Sequence, residues 1–361
     1  MKLKSNIVTA CDCFYGEIEF DSTIKSISKL SPEVQTENYL YPGLIDLHCH
    51  GGGGHDVMEG ELAIREMLKM HKKNGTTSLL LTTVTDTPKK LQQVFEEIAN
   101  VIKSPNQDEA SIIGIHLEGP FLSDQKLGAQ PHHTRPFSII ELKKLHSISP
   151  VKIITLAPES GVNQQEIEVI KKLGIIIQLG HSNTTYEDAE KFLVNDCSSV
   201  THLFNAMSSF HHRAPGAVGA CLAHADYAEL IPDLIHVHPG AIKMALRAIP
   251  NLYFVTDATA ASGMPDGEYK LGEHKVQKCA NGVRLADGTL AGSSLTLITA
   301  LQNLLSLNLS PSECCKRLSY LQAKLLNLKD RGQLEPGFRA DFVLTDKSGA
   351  LLDVYTNGTK L

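Results

Sequence analysis

An excess of cations, paired cysteines and long apolar runs are all missing from this sequence, and each absence excludes a class of protein. Acidic residues outnumber basic ones by 40 to 34, a net charge of −6, so no broad basic surface for nucleic acid is expected. None of the eight cysteines (Cys11, Cys13, Cys49, Cys197, Cys221, Cys279, Cys314 and Cys315) forms a C-x-x-C pair, which excludes a zinc ribbon. Cysteines scattered through a chain of this size point to a reducing, cytoplasmic setting. The opening "MKLKSNIVTACDCF" holds no long apolar stretch, so neither a signal peptide nor a membrane span is expected. Low-complexity segments are also missing. The expectation is a soluble cytoplasmic protein with neither a nucleic-acid nor a membrane partner.

What is present is a rhythm. The 361 residues suffice for one large domain with an appendage, or for two domains, and a hydrophobic share of 42% can fill a core without disulfides. From residue 43, runs rich in β-branched residues alternate with amphipathic stretches. The predicted strands cover 43–50, 77–85, 111–119, 152–158, 175–182, 199–205, 228–237 and 252–258. Helical periodicity fills 61–73, 89–103, 163–173, 185–194 and 240–248. Alternating strands and helices predict parallel βαβ units, and eight strands predict a closed (β/α)₈ TIM-like barrel. A doubly wound sheet is the alternative, but no G-x-G-x-x-G follows the first strand. Short strand-like pieces at both ends predict a small β-sandwich domain from 1–42 and 333–361. The barrel then occupies 43–332, with an inserted β-hairpin around 265–292.

Polar residues gather where the apolar runs stop. His48 and His50 end the first strand, Glu118 the third, His181 the fifth, His202 the sixth and Asp257 the last. In a barrel these ends converge on one mouth, and residues two apart on a strand share a face. A single histidine at a strand end is more often a hydrogen-bonded structural residue. Four imidazoles and a carboxylate converging together form a set suited to zinc, iron or a similar divalent ion. The glycines of "HGGGGHD" are then expected to clear space beside it. An additional aspartate, Asp257, next to such an ion points to metal-assisted hydrolysis of an amide or ester, with Asp257 moving the proton.

The chain resembles the amidohydrolase superfamily, and within it the N-acetylglucosamine-6-phosphate deacetylase family. The resemblance runs in order through "YPGLIDLHCHG", "HLEGPF", "LAPE", "GHS", "THLFNAM", "HHRAPG", "VTDA", "GTLAGSSLT" and "EPGFRADFVLTD". It implies that Glu118, His181 and His202 bind the principal metal and that Asp257 is the catalytic acid/base. His48 and His50 match the H-x-H of members that hold a second ion, so one or two ions per subunit are implied. Asn205, Ala206, Arg213 and His236 match contacts to a phosphorylated amino sugar, some of them supplied across a homodimer. One departure stands out. The family has a substrate-contacting histidine after "GPF", whereas Gln130 occupies that place here. Glutamine can donate a hydrogen bond to a carbonyl but cannot become cationic, and His132 or His133 are the alternatives for its part. The resemblance implies deacetylation of N-acetylglucosamine 6-phosphate. The competing readings are the galactosamine epimer, another amide, and a sugar-phosphate-binding regulator, the last disfavoured by the complete ligand set.

Overall fold

The β-branched runs become the staves of one wall. In the computed structural model, which describes residues 1–31, 37–197 and 199–361, these strands are β1 (Leu44–Asp46), β2 (Thr76–Thr83), β3 (Ser111–Glu118) and β4 (Val151–Leu156). They continue as β5 (Ile176–Leu179), β6 (Ser199–Val200), β7 (Tyr227–Leu230) and β8 (Asn251–Phe254). The first six pair in parallel in chain order, and β7 pairs with β8. Two seams complete the circle. Beyond β6, the Leu203 N–H donates to the Glu229 carbonyl at 2.8 Å, and beyond β8, the Asp257 N–H donates to the His48 carbonyl at 2.9 Å. Both faces of the wall are covered, so the strands are buried on both sides, hydroxyl residues included. All eight residues of β2 are buried.

The seam between β1 and β8 rests on a carboxylate inside the barrel. Asp46 accepts the Thr256 hydroxyl at 2.6 Å and the backbone N–H groups of Thr256 and His48 at 3.2 and 3.3 Å. Burial lifts its carboxyl to about 6, against the pull of those hydrogen bonds.

The five periodic stretches form helices within two residues of their expected bounds: Glu61–Lys73, Pro88–Lys103, Gln164–Lys172, Tyr186–Asn195 and Pro239–Ala248. Their starts are chemically marked. Thr87 caps the second ahead of Pro88, and Asn163 and Glu166 form a reciprocal capping box on the third. Ile139–Ile148, Gly216–His224 and Leu297–Ser306 are further helices. Gly216–His224 buries Ala217 through Cys221 consecutively, so no alternation of polar and apolar residues announces it.

The chain ends meet in a second sheet. Lys2–Val8, Cys13–Phe20, Ile24–Lys29 and Tyr39–Pro42 join Phe342–Thr345, Leu351–Thr356 and Thr359–Lys360 in seven strands. Residues 32–36, inside the 1–42 segment assigned to the small domain, lie outside the described residues. Phe20 and Phe342 sit three strand spacings apart, about 14 Å in a flat sheet. Their ring centroids are 4.8 Å apart, so the sheet curls on itself like a sandwich. It encloses its own core of Ile7, Ile18, Ile24 and Leu40. The excursion around 265–292 is a three-stranded antiparallel sheet, Gly267–Leu271, His274–Cys279 and Gly282–Arg284. Its third strand exceeds the expected hairpin. Its first turn is tied to the barrel by the Gly272 N–H, which donates to Asp56 at 2.8 Å. Among the described residues no helix is long and apolar enough to cross a membrane.

Phe342 is fully buried between Phe20 and Tyr355. Phe342→Ala should therefore cost about 3–5 kcal/mol, measured as a lower urea midpoint. An unchanged midpoint would mean that the curled sheet unfolds independently of the main transition.

Candidate active site

Glu118 is the last residue of β3, but the other strands stop short of their functional side chains. His48 lies two residues past β1, His181 two past β5, His202 two past β6 and Asp257 three past β8. Strand alternation therefore does not aim them. Three of the four occupy left-handed backbone, with φ of 46° at His181, 23° at His202 and 50° at Asp257. Each such residue costs about 1–3 kcal/mol and persists only where its surroundings hold it. The surroundings here are cross-strand hydrogen bonds: Ser123 N–H to the His181 carbonyl at 3.0 Å, and Ser293 N–H to the Asp257 carbonyl at 2.7 Å.

The side chains form two half-sites that share Glu118. Glu118 Oε1 lies 3.2 Å from His181 Nε2 and 3.0 Å from His202 Nε2, and those two nitrogens are 3.0 Å apart. Glu118 Oε2 faces the other half-site, 3.2 Å from His50 Nε2 and 3.5 Å from His48 Nε2. Asp257 Oδ1 completes that half at 3.2 Å from His50 and 3.4 Å from His48. All six residues are buried.

The outer hydrogen bonds decide what the inner atoms can hold. His48 Nδ1 lies 2.6 Å from Glu229 Oε1, His50 Nδ1 3.1 Å from the Thr82 carbonyl, and His181 Nδ1 2.8 Å from the Lys126 carbonyl. Each of those partners can only accept, so each Nδ1 carries the proton and each neutral ring turns an Nε2 lone pair inward. His202 differs, its Nδ1 being buried without a partner among the described residues. Lone pairs and carboxylate oxygens face one another at 3.0–3.5 Å, which is repulsive unless a positive charge sits among them. A divalent cation fits this donor set. When protons neutralise it instead, burial opposes charging His50, but hydrogen bonds to Asp257 and Glu118 outweigh it and hold the ring at about 9. Burial likewise opposes ionisation of Asp257, and the neighbouring His48 and His50 overcome it, leaving the carboxyl below its ordinary range.

The sequence profile of the Amidohydrolase family matches residues 39–361. The chain belongs to that family. It is 40% identical to the N-acetylglucosamine-6-phosphate deacetylase of Lysinibacillus sphaericus over 321 residues, 86% of this chain and 82% of the relative. It is 34% identical to the N-acetylgalactosamine-6-phosphate deacetylase of Escherichia coli O157:H7, covering 94% and 92%. Among solved structures, its fold is similar to a variant N-acetyl-D-glucosamine-6-phosphate deacetylase of Mycobacterium smegmatis in complex with N-acetyl-D-glucosamine-6-phosphate. The TM-score is 0.92 at 27% identity, covering 100% of this chain and 98% of that one.

Around this amidohydrolase centre lies a cavity of about 200 Å³, room for a small molecule. His50, Glu118, His181, His202 and Asp257 form its floor, and Gln130, Asn205, Ala206 and His236 stand on its walls. Gln130 is committed at both ends of its amide. Its Oε1 accepts the Thr85 N–H at 2.7 Å and its Nε2 donates to Glu118 Oε2 at 2.6 Å. Asn205 braces its own turn through the carbonyls of His202 and Leu203, and Ala206 takes a φ of 51°. His236 Nδ1 lies 2.7 Å from Asp233. Arg213, His132 and His133 are not brought to this cavity; Arg213 is exposed and His133 faces Glu273.

The glycine run does not open space for a ligand, and none of Gly51–Gly54 lines the cavity. A side chain on Gly51 would strike the backbone of Ala260 at 2.7 Å, and Gly53 and Gly54 have φ of 64° and 88°. The run serves close packing and a tight turn. Two buried residues around the ligands escaped the sequence reading, Glu229 and His116. Each is a polar residue flanked by apolar ones in a strand run, "AEL" and "IHL", and that is the available signal.

Because the ion would relieve a repulsion present in the folded chain alone, adding zinc to metal-depleted protein should raise the thermal midpoint by several degrees. At about 100 times the dissociation constant the gain is roughly 2.7 kcal/mol. An unmoved midpoint, in protein shown by elemental analysis to be metal-free at the start, would contradict the fit.

Proposed function

We propose that this amidohydrolase removes the acetyl group from N-acetylglucosamine 6-phosphate, releasing glucosamine 6-phosphate and acetate, in cytoplasmic amino-sugar breakdown. The observation that carries the reading is Asp257's place on the same cavity floor as Glu118, His181, His202 and His50. A proton-accepting carboxylate and a cation-binding donor set thus meet one small ligand. The deacetylase relatives of both epimers support the substrate class.

A zinc or iron(II) ion at Glu118, His181 and His202, with a second at His48 and His50, would supply Lewis acidity and bring the pKa of a bound water to about 7. The remaining work belongs to the side chains. Asp257 takes a proton from the attacking water and delivers it to the amide nitrogen as the C–N bond breaks. The amine leaves neutral, and the acetic acid, which carries the oxygen and the second proton of the water, gives up that proton to solvent as acetate. The strained backbone at Asp257, fastened to His48 and Ser293, keeps that carboxylate from drifting between the two transfers. Gln130 holds Glu118 in place on the adjoining wall.

His236 and the Asn205–Ala206 turn face the substrate from the far side and bind its phosphate. Arg213 lies outside the cavity of its own chain, and its planar fork suits phosphate. In this proposal it serves the cavity of a second copy, making the working unit a homodimer.

Asp257→Asn should keep metal and fold while kcat falls about 10²–10⁴-fold. Near-normal kcat in a metal-replete variant would place the proton transfer elsewhere. Acetate release should be faster from the 6-phosphorylated gluco epimer than from the galacto epimer. The reverse order would favour the activity named for the Escherichia coli relative, and equal rates on unphosphorylated sugar would remove the phosphate from the account. Arg213→Ala and Asp257→Asn should each be poorly active alone. Co-expressed, random pairing into dimers should restore about a quarter of wild-type activity, because half the dimers regain one complete site. No recovery would contradict the supply of Arg213 across the dimer, and full activity of Arg213→Ala alone would place it outside the site altogether.

A further inference from the structure

Beneath the metal-binding floor lies a chain of buried polar groups that touches neither substrate nor cavity. Its upper end is Glu229 on β7. One carboxylate oxygen, Oε1, accepts from His48 Nδ1 at 2.6 Å and from the backbone N–H of His202 at 3.1 Å. The other, Oε2, accepts the Tyr253 hydroxyl at 3.4 Å, and Tyr253 in turn accepts from Gln178 at 2.7 Å. Gln178 takes the Thr201 hydroxyl at 3.0 Å, and Thr201 meets Thr155 at 2.8 Å. Glu229, His48 and Tyr253 have no exposed surface. Among the described residues the only basic side chain within 4 Å of the Glu229 carboxylate is His48.

A carboxylate fully removed from water is costly unless it is paired and hydrogen-bonded, so its location calls for a reason. Stability is a poor one, since a buried ion pair adds little over apolar packing. A third metal ion held with His48 and His116 is excluded by the hydrogen bonds. His116 spends Nδ1 on the Leu47 carbonyl and Nε2 on Thr155. What Glu229 does control is His48, because Nδ1 has no other partner and the proton it carries decides which nitrogen is free.

We propose that Glu229 is the positioning residue that holds His48 in its Nδ1–H form and thereby makes Nε2 a ligand for the second ion. The inference rests on the reading of His48 and His50 as metal ligands. Its specificity comes from the shared oxygen. The His202 N–H fixes an acceptor at the Oε1 position, so an amide in place of the carboxylate must also put its oxygen there. Glu229→Gln should therefore preserve the orientation of His48, whereas Glu229→Met, similar in shape, should lose it. Replacing outer partners of ligating histidines typically costs 10–100-fold in metal affinity.

The test is zinc titration of metal-depleted full-length protein by calorimetry with elemental analysis, joined to ¹⁵N spectra of the histidine-labelled, zinc-loaded enzyme. Wild type and Glu229→Gln should bind two equivalents and show His48 protonated at Nδ1, a signal identified by its loss in His48→Asn. Glu229→Met should bind the second equivalent about 10–100-fold more weakly, with a smaller effect on the first, and lose that signal. Two equivalents at wild-type affinity in Glu229→Met, or loss of the second ion in Glu229→Gln, would overturn the assignment. So would zinc-loaded wild type without a proton on His48 Nδ1, a result that needs no variant to fold. Only one equivalent in wild type would instead sink the ligand role of His48 and His50, and the inference with it.

Discussion

Three imidazoles at the barrel mouth are made to point their lone pairs inward by acceptors placed behind them: Glu229 behind His48, the Thr82 carbonyl behind His50 and the Lys126 carbonyl behind His181. The rest of the site depends on this arrangement. It makes the centre uncomfortable when empty and therefore receptive to a divalent cation. The same physics explains why Glu229 and the Thr82 carbonyl behind His48 and His50 are buried. Exposed acceptors would exchange partners with water and release the rings. The cost of burying Glu229 and Asp46 is thus linked to ligand orientation more than to stability.

The barrel contributes rigidity at the point where its regular structure ends. β-Ladders stop two or three residues before His48, His181, His202 and Asp257, and the chain turns through left-handed backbone at three of the four. Strand alternation would have sent neighbouring side chains to opposite faces. The left-handed turns instead let each functional residue lean over the mouth, and single hydrogen bonds across the seams pin them there. Closure of the barrel and assembly of the site are consequently the same event at the β1–β8 seam. There the Asp257 N–H bonds the His48 carbonyl, and the His50 N–H bonds the Ala258 carbonyl at 2.8 Å.

Much of this was legible in the sequence because the barrel repeats one local rule. Apolar β-branched runs and capped amphipathic helices such as Gln164–Lys172 carry their periodicity on their face. The polar residues that end those runs are the ones that converge. What periodicity could not carry was direction and distance. Gln130 stands at the cavity as its position suggests, but its bonds to the Thr85 N–H and to Glu118 were not legible in the sequence. Arg213 looks equivalent to His236, but only His236 stands on the wall of this chain's cavity. The glycines after His50 suggested room for a ligand, while their neighbours are the Ala260 backbone and the helix residues Met70 and His71. Glu229 was hidden because a single acid in an apolar strand has no periodic signature, and its partner His48 is 181 residues away.

The account's central claim is that the converging atoms of Glu118, His181 and His202 form a cation site. Anomalous diffraction from crystals of zinc-loaded enzyme, recorded on both sides of the zinc absorption edge, tests it most directly. The prediction is a strong anomalous peak bounded by Glu118 Oε1, His181 Nε2 and His202 Nε2, at roughly 2.0–2.2 Å from each. A fully loaded crystal with no peak among those three atoms, or with its zinc elsewhere on the protein, would contradict it.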